Sequence, residues 1–268
     1  MCAQPLQFDS EAAKRFQLLY LTPYAQQRRA VVREALALQA GERLLEIGTG
    51  PGFEPYELAN VLGPTGRLHA VDTSETMLQL SRQRCVDQPW VEFQSADARL
   101  LPFDDATFDA AVVVQVYEYV SEVDAALMEL CRVLRPGGRA VVVDTDWRSI
   151  VWETADPARM TRVLDAWEEH LVHPCLDRSL PRLLKQAGFA LTHAQVLTAL
   201  DLAISEDQFS YGLAQLIVAF LPGRQGLSTD DGEAWQEDLR RANQEGRYFF
   251  CLNQYLYLAI KPAERLVE

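Results

Sequence analysis

The stretch Leu44-Leu45-Glu46-Ile47-Gly48-Thr49-Gly50-Pro51-Gly52 limits this chain more than any other part of it. A run of apolar residues leads straight into three alternate glycines, and sequence suited to a helix resumes near Phe53. Glycine at such a junction tolerates positive φ and lets the backbone approach a ligand that a β-carbon would push away. A Gly-x-Gly turn also closes ligand-free strand-to-helix connections, so its meaning depends on the residues that end the neighbouring strands.

From about Arg43 to Val143, short β-branched runs alternate with helix-length amphipathic stretches, the pattern of an α/β protein with a parallel sheet. The predicted strands are Arg43 to Gly48, Arg67 to Asp72, Val91 to Gln94, Phe108 to Val116 and Arg139 to Asp144. The unbroken apolar run Ala110 to Val114 suits a strand covered on both faces. Ser74 is placed as the N-cap of a helix to about Asp87. Ser121 is placed at the start of another, ended by Arg135-Pro136-Gly137-Gly138. Upstream, Pro23 to Ala40 reads as an amphipathic helix. Downstream, helices are expected over Asp156 to His170, Asp177 to Ala187, Asp207 to Phe220 and Asp231 to Glu245, with strands over Thr192 to Leu202 and Tyr248 to Ile260.

Acidic residues stand at matching places after the next two strands. Asp72 closes the second, where a carboxylate can accept both hydroxyls of a ribose; Asp97 comes after the third, where one can accept an adenine amino group. Each alone is an ordinary turn former. Together with the glycine turn they describe one adenosine-shaped crevice at the carboxyl edge of the sheet.

These residues resemble a family. Glu46-x-Gly48-x-Gly50-x-Gly52, Asp72, Asp97-Ala98 followed by Leu101-Pro102-Phe103, Phe108-Asp109-Ala110-Ala111-Val112 and Leu134-Arg135-Pro136-Gly137-Gly138 look like the class I S-adenosylmethionine-dependent methyltransferases, in particular the small-molecule branch that includes the ubiquinone and menaquinone enzymes. The likeness covers about Arg43 to Asp144. It implies a Rossmann-like, doubly wound α/β fold: a seven-stranded, mostly parallel sheet with an antiparallel last strand and helices on both faces. It implies a single methyltransferase domain with an N-terminal helical cap (1–40), a donor-binding core (41–147) and a helical lid inserted before the last strand (205–246). The implied donor is S-adenosylmethionine and the product S-adenosylhomocysteine. Carried over by position, Glu46 would hold the methionine end indirectly, Gly48, Thr49 and Gly50 would meet the amino-acid part, and Asp72 would bind the ribose. Thr73 and Met77 would flank the adenine, Asp97 and Ala98 would bind its amino edge, and the Gln115 carbonyl would face the donor's ammonium. Tyr24 and Arg28, in the cap, are candidates for the donor's carboxylate, against the alternative that they only pack a helix surface.

Where the branch often has Leu-Glu-His, this chain has Tyr117-Glu118-Tyr119, so no histidine role transfers. A sulfonium donor needs alignment and exclusion of water more than covalent help, and a general base only if the acceptor arrives protonated. Candidates near the acceptor are Tyr117, Asp146 and Trp147, with Tyr119 and Asp144 beside them. His69 reads as a core residue, and His170 and His173 as helix-end cations suited to the dipole.

Composition narrows the partners. A net charge of −13 opposes approach to nucleic acid or anionic lipid, which leaves a small-molecule acceptor. The longest apolar runs are too short to span a bilayer, residues 1–5 carry no signal-peptide pattern, and five scattered cysteines suit a reducing, cytoplasmic setting. No metal site is expected, and a homodimer is compatible with the chain. Three rivals stay open: a nicotinamide oxidoreductase, whose third glycine would fall on Phe53; a protein that binds the donor without transfer; and an arsenite enzyme using Cys175 and Cys251.

Overall fold

The computed structural model describes residues 10–263, with side chains from residue 16. The expectation concerning residues 1–5 lies outside them. The strands are β1 (Arg43–Ile47), β2 (Arg67–Asp72), β3 (Val91–Ser95), β4 (Phe108–Val114), β5 (Leu134–Trp152), β6 (Ala190–Asp201) and β7 (Phe250–Ile260). The helices are α1 (Ser10–Leu21), α2 (Pro23–Leu36), α3 (Phe53–Leu62), α4 (Glu75–Arg84), α5 (Val123–Val133), α6 (Pro157–Glu168), α7 (Leu180–Gln186), α8 (Phe209–Phe220) and α9 (Thr229–Gln244).

All seven strands form one sheet in the order β3-β2-β1-β4-β5-β7-β6. β1 pairs in parallel with β2 and β4, β2 with β3, and β4 with β5. β7 runs against β5, since Gly137 and Gly138 exchange backbone hydrogen bonds with Lys261 while Glu153 donates to Phe249. This is the Rossmann-like, mostly parallel sheet expected from the sequence.

The chain clusters into two compact units. One holds the glycine turn: Arg29–Thr145, Cys175–Val196 and the chain from Gln254 onward. Its core is the interior of the sheet, with Leu45, Ile47, Phe108, Ala111 and Val113 packed with Leu127, Leu130, Leu180 and Leu184. The other holds the chain up to Arg28, Asp146–Pro174 and Leu197–Asn253. It is rich in tryptophan: Trp147, Trp152, Trp167 and Trp235 share a core with Phe209, Phe220, Tyr248 and Phe250. Trp152 and Trp235 meet edge to face at 5.1 Å, and the Trp152 indole N–H donates to the Tyr248 hydroxyl, which in turn donates to Ser210 Oγ. α9 opens with a reciprocal Ser228–Asp231 capping box.

α2 stops at Leu36, short of Ala40, α7 begins at Leu180 and not at Asp177, and β5 and α5 also differ from expectation. β5 is 19 residues long because the Pro136-Gly137-Gly138 segment is not a free turn. Lys261 pairs with its backbone, and the Lys261 ammonium donates to the Cys131 and Leu134 carbonyls at 2.8 and 2.7 Å. Glu122, not Ser121, is the N-cap of α5 and caps nothing with its side chain. The Ser121 hydroxyl donates to the Glu122 carboxylate instead.

Candidate functional site

Parallel register places the loops after β1, β2, β3 and β4 side by side. Ile47 pairs with Val71 and with Val113, and Asp72 with Ser95. Gly48, Asp72, Asp97 and Gln115 therefore leave the sheet at one edge. The Gly48 and Thr49 N–H groups both donate to the Val71 carbonyl, and Ala96 donates to the Asp72 carbonyl.

The glycines answer to the protein's own packing. Gly48 has φ +77° and a β-carbon there would lie 2.2 Å from Val116 Cγ2; at Gly52, φ +86°, it would lie 2.6 Å from Ser81 Cα. Ser81, fully buried on α4, also donates its hydroxyl to the Gly50 carbonyl at 2.8 Å and sits 3.3 Å from Thr49 Oγ1. Nothing in the local sequence marks Ser81; only the packing of α4 on the turn brings it there.

Acidic groups gather around the turn. Asp72 accepts the Gly50 N–H at 3.1 Å and the Ser74 N–H at 2.8 Å, one on each oxygen. Burial raises its pKa, and these backbone donors oppose that. Glu46 is 3% exposed and its Oε2 has no hydrogen-bond partner. Burial holds its carboxyl well above the usual carboxylate range, and the nearby charges of Glu54 and Asp72 push it further. A buried carboxyl oxygen without a donor can take a hydrogen bond from a ligand. Ser74 caps α4 by accepting the Met77 N–H; Met77 is buried and Thr73 exposed. Asp97 lies after β3, tied to Arg99, with Ala98 buried beside it. Gln115 has φ +55° and passes its amide to Thr145 Oγ1 at 2.9 Å, which also accepts from Gln254.

The glycine-turn unit thus gathers Glu46, Gly48, Thr49, Gly50, Asp72, Thr73, Met77, Asp97, Ala98, Gln115 and Tyr117. Tyr24, Arg28, Asp146 and Trp147 belong to the tryptophan-rich unit. There Tyr24 donates its hydroxyl to the Leu197 carbonyl at 3.3 Å and stands edge-on to Phe209, while Arg28 lies over the Tyr20 ring. Asp146 Oδ1 accepts the Arg148 N–H at 3.2 Å, and the Trp147 backbone N–H donates to the Pro174 carbonyl at 2.9 Å.

Tyr117 is fully buried and its hydroxyl has no hydrogen-bond partner. Burial, then the charge of Asp144, pushes its pKa up, so it is no phenolate at neutral pH. Asp144 is equally buried, its two carboxyl oxygens have no hydrogen-bond partner, and burial, then the charge of Glu118, holds its pKa well above the usual carboxylate range. Asp177, from a 3-10 turn over Leu176–Arg178, lies near enough to add to the raised pKa of Asp144. The sequence points to Asp144 but not to Glu118 or Asp177, because these carboxyls meet only through the fold. His170 is not the helix-end cation expected: it is 1% exposed among Trp147, Trp167 and Phe220, and burial lowers its pKa to about 4. Among the described residues, no group of three or more His, Cys, Asp or Glu side chains is arranged to hold a metal ion, and no helix is long and apolar enough to cross a membrane.

A sheet of this order, with a glycine turn after β1 and acidic residues after β2 and β3, defines the class I S-adenosylmethionine-dependent methyltransferases. The chain resembles that class: residues 45–142 match the family described as a methyltransferase domain. It is 33% identical over 186 residues to an uncharacterised 37.1 kDa protein of transposon TN4556 from Streptomyces fradiae, covering 68% of this chain and 53% of that protein. It is 36% identical over 114 residues to the ubiquinone/menaquinone biosynthesis C-methyltransferase UbiE of Pseudomonas putida, covering 41% and 44%. The chain spans about half the length of these relatives. Its fold is shared by the [4+2]-cyclase SpnF (TM-score 0.61, 24% identity, 90% and 82% covered) and by a candidate methyltransferase of Bacillus halodurans C-125 (TM-score 0.65, 19% identity, 88% and 99% covered).

Proposed function

We propose that this chain transfers the methyl group of S-adenosylmethionine to a small-molecule acceptor by in-line displacement. The observation that carries the reading is the meeting, at one sheet edge, of the glycine turn, the buried Glu46 carboxyl, the half-buried Asp72 carboxyl, Asp97 and the Gln115 backbone. A ligand fitting all of them has an ammonium, a ribose and an adenine. Glu46 holds the methionine end indirectly, the Gln115 carbonyl faces the ammonium, Asp72 takes the ribose hydroxyls, and Asp97 with Ala98 takes the adenine edge between Thr73 and Met77. The donor supplies a methyl carbon on a sulfonium: the acceptor's lone pair forms the new bond while the C–S electrons return to sulfur.

The protein's contribution is then to align the reactants and keep out water. Residues 1–40 are read as a cap and 205–246 as a lid over one methyltransferase domain, with Tyr24 and Arg28 offered to the donor's carboxylate. Tyr117, Asp146 and Trp147 are the acceptor-side candidates. The net charge of −13 disfavours nucleic acid as acceptor.

Calorimetric titration with S-adenosylmethionine and S-adenosylhomocysteine, followed by an assay for released S-adenosylhomocysteine across phenol, amine, thiol and carbon-acid acceptors, tests the reading. Binding of both ligands and release with one acceptor class is the expected result. Failure to bind either ligand refutes the reading. Binding without release across the panel replaces it with a non-transferring binding protein.

A further inference from the structure

Gln115, directly after β4, holds a conformation that a side chain resists. Its φ of +55° lies in the left-handed region, which a residue with a β-carbon keeps only where its surroundings impose it. Three contacts hold this segment. The Gln115 N–H donates to the Val143 carbonyl of β5 at 2.7 Å. The next residue, Val116, occupies the space that a β-carbon on Gly48 would need. The Gln115 side-chain amide donates to Thr145 Oγ1 at 2.9 Å. The 115–116 peptide, which carries the Gln115 carbonyl, is therefore tied to β5 on one side and set against the glycine turn on the other.

The third contact has a support of its own. Thr145 Oγ1 also accepts the side-chain amide of Gln254, on β7, at 2.9 Å. A hydroxyl oxygen offers two lone pairs, and here each takes one amide. Thr145 and Gln254 are both 0% exposed, so a partner lost at this oxygen is not replaced by bulk water. The antiparallel pairing of β7 with β5 thus fixes the Thr145 hydroxyl, and the hydroxyl fixes where the Gln115 side chain ends.

We propose that Thr145 and Gln254 are positioning residues for the donor: acting through the Gln115 side chain, they hold the 115–116 peptide so that the Gln115 carbonyl meets the donor's ammonium. The proposal rests on the donor-binding reading. Asp72 and Asp97, the residues proposed for the ribose and the adenine, follow β2 and β3, which lie on the far side of β1 from β5 and β7. Loss of the Thr145 oxygen therefore falls on recognition of the ammonium and leaves recognition of the nucleoside in place.

The test is competition calorimetry with S-adenosylhomocysteine and its deaminated analogue, which keeps the nucleoside, the sulfur and the carboxylate and lacks only the amino group. The proteins are the wild type, Thr145→Val, Thr145→Ser and Gln254→Met, each checked for folding by its thermal transition. Thr145→Val fills the same volume without the oxygen, and Gln254→Met does so without the amide. Thr145→Val should bind S-adenosylhomocysteine about three- to tenfold more weakly, and Gln254→Met about two- to fourfold. Both should bind the deaminated analogue within about twofold of the wild type. Thr145→Ser keeps the oxygen and should recover most of the lost affinity. An equal loss for both ligands means that these bonds serve only the fold, and overturns the proposal. Unchanged S-adenosylhomocysteine binding by Thr145→Val overturns it too. If Thr145→Val fails to fold, Gln254→Met decides between the same outcomes. Absence of S-adenosylhomocysteine binding by the wild type instead defeats the donor reading on which the proposal rests.

Discussion

Asp97 accepts the Arg99 guanidinium on both oxygens, Nη2 on Oδ2 at 2.7 Å and Nε on Oδ1 at 3.0 Å, and takes the Arg99 backbone N–H on Oδ1 at 2.9 Å. Glu122 holds the far side of the same guanidinium. The Asp97 carboxylate is thus fixed in direction, and the guanidinium lowers its pKa. Replacing Arg99 with Ala should weaken S-adenosylhomocysteine binding by about three- to tenfold, and narrow its preference over the inosine analogue that lacks the adenine amino group. Competition calorimetry with both ligands measures this, and an unchanged preference would separate Arg99 from adenine recognition.

Asp72 is the residue on which donor affinity should depend most steeply. Asp72→Ala removes the proposed ribose acceptor and also the oxygens that receive the Gly50 and Ser74 N–H groups. A loss of about 2 kcal/mol or more in donor binding is expected. Asp72→Asn, which keeps one acceptor oxygen, should lose less, as equilibrium titration of the two variants would show.

The buried carboxyl of Asp144 makes a signed prediction about stability. Its folded pKa is raised above the unfolded value, so the folded state binds more protons between the two. Stability is fully present below about pH 4, the unfolded value, and is lost as pH rises through the folded one. Asp144→Asn should flatten that decline, and urea midpoints at mildly acidic and mildly alkaline pH would reveal it. An equal decline in the variant would assign the pH dependence to other groups, Glu46 and Asp72 first.

Trp235 is fully buried against Trp152, and its removal tests the tryptophan-rich unit. Trp235→Ala should cost about 3–5 kcal/mol by leaving a large cavity. Chemical denaturation followed by circular dichroism reads the loss, and a change under about 1 kcal/mol would mean that the site collapses around the gap.

The alternation of strand and helix between Arg43 and Val143 is legible in the sequence because each strand there is a short apolar run with its own turn signals, and the crevice residues derive from strand order. β5 is not, since Pro136, Gly137 and Gly138 look like a break and their backbone partner Lys261 lies far along the chain. His170 misleads because its place near a helix end is visible in sequence while its burial among three aromatic rings is not. The meeting of Glu118, Asp144 and Asp177 is illegible for the same reason: no local pattern joins residues brought together by three separate elements.

The fit of Gly48 against Val116 and of Gly52 against Ser81 carries a kinetic consequence. A turn already clamped by its neighbours has little backbone entropy left to surrender when a ligand arrives. Nucleoside capture at this turn should then proceed in a single bimolecular phase, its observed rate rising linearly with ligand concentration, and any slow phase would report movement elsewhere in the chain.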